Sequence, residues 1–63
     1  MTQKDLLYLE DAYEHEKIII KLCNDFLSKI SDEELSIFIE EQINSHTKVQ
    51  NTIMSFLKEE ENG

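Results

Sequence analysis

The sequence predicts an all-α protein: an antiparallel two-helix hairpin, one domain over residues 1–63, that pairs with a second copy to make a four-helix bundle. Three observations predict it. Proline is absent and the one glycine is Gly63, so no internal residue interrupts a helix. Two stretches repeat apolar residues at alternating three- and four-residue steps, the spacing of a packed helical seam. Between them, Ser28-Lys29-Ile30-Ser31 breaks the pattern and is followed by a run of acids, the signature of a new helix start.

The first helix is expected over about residues 4–28. Thr2 is its N-cap, and Asp5 three residues later completes a capping box. Its seam is Leu6, Leu9, Tyr13, Ile20, Cys23 and Leu27, with Glu16 filling the missing beat. A second apolar flank runs beside it through Tyr8, Ala12, His15, Ile19, Leu22 and Phe26. A helix that is apolar on two adjoining flanks needs more than one neighbour.

The second helix is expected over about residues 32–58. Ser31 is read as its N-cap, Glu34 as the partner in a capping box, and Ile30 with Leu35 as a hydrophobic staple. Asp32, Glu33 and Glu34 suit the positive end of the helix dipole. The expected stripe is Leu35, Ile39, Gln42, His46, Val49, Ile53 and Phe56, flanked by Phe38, Ile43 and Leu57. Residues 59–63 form an acidic tail that opposes the dipole at a helix C-terminus, so fraying is expected there.

A connection this short forces the helices antiparallel. The two stripes then match in one constant register. Leu27 meets Leu35, Cys23 meets Ile39, Ile20 meets Gln42 and Glu16 meets His46. Tyr13 meets Val49, Leu9 meets Ile53 and Leu6 meets Phe56. The polar beats of both stripes coincide at Glu16 and His46. Two hairpins packed face to face would cover the second flank of the first helix, so the partner expected is a second copy of the chain.

Size and charge narrow the function. A 63-residue chain buries a modest share of its surface and usually needs a disulfide, a metal or a partner chain. Cys23 is the one cysteine, so no internal disulfide forms, and a reducing, cytoplasmic setting fits. With 14 acidic residues, 6 basic residues and a net charge of −8, the chain lacks the basic face that nucleic acid requires. The same balance disfavours an anionic membrane surface. No apolar run reaches the length of a membrane span, and no signal peptide is visible.

Glu16 and His46 are the candidate site. As a metal centre, two copies of each would supply two carboxylates and two imidazoles to zinc or another divalent ion inside a bundle core. The plainer alternative, and the favoured one, is a hydrogen bond that sets the register of the hairpin and binds no cofactor. Di-iron bundles use a Glu-x-x-His step. Here Ile43 precedes His46 by three residues and Ala12 precedes His15, so that chemistry is disfavoured. His15 reads as an edge or interface residue, Cys23 as a small core residue, and Tyr8 and Tyr13 as packing residues. No nucleophile triad, phosphate loop or paired catalytic carboxylates is present, and the chain is not expected to be an enzyme.

Asp5-Leu6-Leu7-Tyr8-Leu9-Glu10-Asp11-Ala12, then His15-Glu16-Lys17, an acidic capped turn and His46 in a long second helix together resemble the Coat F (spore coat protein F-like) family. The resemblance extends from about Lys4 to Leu57. It implies a ferritin-like hairpin or bundle, a role in the spore or its coat, coat proteins as further partners, and no catalysis. The chain departs from a ferritin in having two helices and no Glu-x-x-His step. The alternative to a self-associating structural module is a small regulatory hairpin whose first helix docks on a helix of another protein.

Overall fold

The computed structural model describes residues 1–62. Two helices, α1 (Gln3–Leu27, 25 residues) and α2 (Glu33–Asn62, 30 residues), pack along one another as a hairpin. The result is a slab of 46 × 14 × 12 Å, as long as α2 itself at about 1.5 Å of rise per residue.

The helix ends follow local chemistry. The predicted capping box of α1 is present: the Asp5 amide donates to Thr2 Oγ1 at 3.1 Å, and the Thr2 amide donates to the Asp5 carboxylate at 3.0 Å. The Thr2 amide first, and then the Thr2 hydroxyl, hold the exposed Asp5 carboxyl below its ordinary value of 3.8. At the other end Ser28 caps α1, with its amide donating to the Asn24 carbonyl at 3.2 Å. The amides of Lys29 and Ile30 both donate to the Phe26 carbonyl, at 3.0 and 3.1 Å. Among the described residues no backbone enters the left-handed region, so this turn needs no glycine.

The start of α2 differs from the expected one. Asp32, not Ser31, is the N-cap: its Oδ1 accepts the Leu35 amide at 2.8 Å and its carbonyl accepts the Ser36 amide at 3.0 Å. A carboxylate caps as well as a hydroxyl and adds a favourable charge at the positive helix end, so the start moves on by one residue. The Asp32 cap thereby takes the place of the expected Ser31–Glu34 box. The far end of α2 also differs. The helix continues through Asn62 where fraying was expected from residue 59, while Gly63 lies outside the described residues. Extending an established helix costs little, and glutamate is a good helix former, which outweighs the opposing dipole.

Burial locates the seam. In α1 all seven expected positions, Leu6 to Leu27, are at least half-buried. In α2 the inward line is Ser36, Ile39, Ile43, His46, Gln50, Ile53 and Leu57. Ile39, His46 and Ile53 hold their expected places, but Leu35, Val49 and Phe56 are 40%, 45% and 48% exposed. The expected pairings of Leu27 with Leu35, Tyr13 with Val49 and Leu6 with Phe56 are therefore replaced. Ser36, Gln50 and Leu57 stand level with those α1 residues instead. Ile53, 9% exposed, is the one buried hydrophobic residue among those described.

Candidate functional site

The pairing of Glu16 with His46 is present. His46 Nδ1 and Glu16 Oε2 form a hydrogen bond across the hairpin, at the middle of both helices. Their side chains retain 29% and 17% of their exposure, so water reaches the edge of the pair. The imidazole donates and the carboxylate accepts. Leu9, Tyr13 and Ile20 lie above and below Glu16 on the α1 seam, and Ile43 and Gln50 bracket His46 on α2.

Replacing one partner should cost more than replacing both. Glu16→Leu leaves His46 without its acceptor in a half-buried layer, a penalty of about 1–3 kcal/mol. Glu16→Leu combined with His46→Leu should be close to neutral or stabilising, because two leucines pack without a desolvation cost. Urea melts of the four proteins in a double-mutant cycle measure this. Additive losses would show that the two side chains do not interact.

The other singled-out residues do not join the pair. His15 is exposed, one residue round from Glu16 on α1. Cys23 is a half-buried free thiol two turns further along the seam. Tyr13 is half-buried, whereas Tyr8 is exposed and has the Lys4 ammonium 6.0 Å from its ring centroid. Among the described residues, no three His, Cys, Asp or Glu side chains gather at metal-binding distance. Two open grooves mark the surface, one lined by Leu6, Glu10, Leu57, Glu60 and Glu61, the other by Leu22, Asp25, Phe26 and Lys29.

The larger feature is a face that sequence reasoning only half saw. The second flank of α1 precedes the seam by one residue, and so does the line Leu35, Phe38, Gln42, Ser45, Val49, Thr52, Phe56 on α2. One residue turns a helix by about 100°. Antiparallel helices turn in opposite senses, so both lines emerge on the same side of the slab. Along these two lines that side carries none of the chain's Lys, Asp or Glu residues, but Lys4 reaches over Tyr8 at its edge, and Asp25 and Lys29 share a groove with Leu22 and Phe26. It does carry Tyr8, Leu22, Phe26, Phe38 and Phe56, each 48–62% exposed. The Thr52 hydroxyl donates to the Lys48 carbonyl at 2.9 Å and so is satisfied within its own helix. The opposite side carries Glu10, Glu14, Lys17, Lys21, Glu40, Asn44 and Lys58. The signal was present in the sequence as two adjoining stripes on each helix. The larger side chains of Leu35, Val49 and Phe56 drew the predicted seam of α2 onto the wrong stripe.

No family model, no curated protein and no solved structure matches this sequence. No helix among the described residues is long and apolar enough to cross a membrane.

Proposed function

We propose that this protein is a non-catalytic structural module that associates with itself through the side carrying Leu22, Phe26, Phe38 and Phe56. One observation carries the reading: among the described residues a single hydrophobic side chain is buried, while Tyr8, Leu22, Phe26, Phe38 and Phe56 stand in water along one side of the slab. A chain of this size with so little core needs a partner to be stable. Isolated exposed leucines and phenylalanines are ordinary, but large apolar residues aligned on one side of both helices mark an interface. A spore-coat role, implied by the resemblance around Asp5–Ala12 and His15-Glu16-Lys17, is compatible with an acidic building block of this kind. The lone free Cys23 suits a reducing compartment during its synthesis.

Sedimentation equilibrium at micromolar concentration tests the proposal. A mass of two chains or more, falling with dilution together with helix content, is the expected result. A well-folded 7.5 kDa monomer would overturn it.

The Glu16–His46 pair favours a second reading, a divalent-metal site completed when bundles assemble. Zinc should then raise the melting temperature of untagged protein, and Glu16→Leu should abolish that rise. Melting curves that zinc leaves unmoved exclude it.

A further inference from the structure

We infer that the self-associated pair holds one divalent ion at its centre, between Nε2 of His46 and Nε2 of the partner's His46, with Glu16 as the residue that positions each imidazole. The inference rests on self-association through the side carrying Leu22, Phe26, Phe38 and Phe56, and it assigns the metal reading to particular atoms.

The hydrogen bond decides which nitrogen is free. His46 Nδ1 is taken by Glu16 Oε2, so the ring proton sits on Nδ1 and Nε2 keeps its lone pair. A carboxylate on one ring nitrogen is the usual companion of a histidine whose other nitrogen binds metal. It fixes the tautomer and makes the ring a better donor. The imidazole keeps part of its surface in water, so the ring is not sealed inside the hairpin.

Helix geometry turns the pair toward the interface. Three residues carry a helix round by about 300°, so Glu16 stands about 60° nearer the apolar side than Tyr13, and His46 about 60° nearer than Ile43. The neighbours of the pair on that side are Ala12, His15 and Ile19 on α1 and Gln42, Ser45 and Val49 on α2. None carries a formal charge that would repel an ion. Ala12 and Ser45 are small, so the layer opens toward whatever covers it. Lys17, the lysine next to Glu16 in sequence, lies on the opposite side of the slab.

One chain does not suffice. Among the described residues, no three potential ligands gather at metal-binding distance within a chain. A second copy doubles the set, and the level of the layer makes the outcome independent of how the copies are turned. Glu16 stands thirteen residues after Gln3 and eleven before Leu27, so the bond crosses the hairpin close to the middle of α1. With the turns at the same end, each level of one copy lies over the same level of the other. With the turns at opposite ends, the levels invert about the middle, and a middle layer stays in place. Either two-fold stacking therefore sets His46 against the partner's His46. Two imidazole nitrogens, with water at the remaining positions, suit zinc or a similar divalent ion. Positive charge is favourable where two chains of net charge −8 come together.

Zinc chloride added to untagged protein tests the assignment. Calorimetry should give one zinc per two chains, with sedimentation showing the pair. Nitrogen-15 spectra of the imidazoles should show His46 protonated at Nδ1, and zinc should shift Nε2 while that proton stays. His46→Gln should lose zinc binding, and His15→Gln should retain it. Glu16→Gln still offers an oxygen to Nδ1, so affinity should fall by about 10–100-fold without vanishing. The spectra need no substitution, so they decide the matter even where a variant unfolds. One zinc per single chain, or a shift at Nδ1 in place of Nε2, would overturn the shared site and leave both self-association and a metal site standing. Binding lost in His15→Gln and kept in His46→Gln would overturn it too, by moving the ion to the edge of α1. A dimer that takes up no zinc would remove the site and leave self-association. A monomer with and without zinc would remove both.

Discussion

Replacing Leu22 by glutamate is expected to abolish self-association and, with it, most of the helix content at micromolar concentration. Leu22 is 59% exposed in the hairpin, so the single chain tolerates a carboxylate there without a clash. Cost arises only when the face is covered. Each copy would then bury an ionised group in an apolar contact, and the effective penalty for an unpaired buried ion is several kcal/mol. The penalty applies twice in a symmetric pair. Asn44→Glu, on the opposite and exposed side of α2, adds the same charge and should change neither mass nor melting. Sedimentation and far-ultraviolet circular dichroism on the two variants decide the matter. Equal behaviour would show that the apolar side is not covered in solution.

The second large effect is expected at Ile53. Truncation of a buried isoleucine to alanine removes its transfer energy and leaves a cavity, about 2–5 kcal/mol. A domain of this size has a total stability of about 3–5 kcal/mol, so Ile53→Ala should be substantially unfolded at room temperature. Ile37 is half-exposed on the polar side of α2, and Ile37→Ala should fall within about 0.5 kcal/mol of the parent. Urea melts of both variants measure the contrast. Similar midpoints would mean that the buried line of α2 is not the one through Ile39, His46 and Ile53.

Much of this architecture was legible in the residues. The absence of proline and internal glycine gave two long helices, and the Thr2–Asp5 box gave the first N-terminus. The match of Glu16 with His46 could be found because a polar residue in an apolar stripe is expensive and must meet a partner. The start of α2 was less accessible. Ser31 and Asp32 are both good caps, and only the three-dimensional path of the turn selects the Asp32 carboxylate. The α2 seam was misplaced for a related reason. Two stripes share Ile39, His46 and Ile53 between them, and the stripe through Leu35, Val49 and Phe56 is the more apolar. A sequence with two adjoining apolar stripes on each helix offers two inward directions, and hydrophobicity alone ranks the wrong one first. The half-buried Gln50 and Ser36 show the difference: polar groups lie inward while phenylalanines face out.

The Glu16–His46 bond has a bearing on how the chain finds its native alignment. A periodic apolar ladder is translationally ambiguous: sliding α2 by two turns would again set hydrophobic rungs against one another. Such a slip would bring Ile39 or Ile53 opposite Glu16, and strand the carboxylate beside a hydrocarbon with no donor, at about 1–3 kcal/mol. In so shallow an energy well that sum is a large part of the gap between the correct fold and its nearest competitors. A single mismatched rung thus confers uniqueness on a ladder whose other rungs are interchangeable.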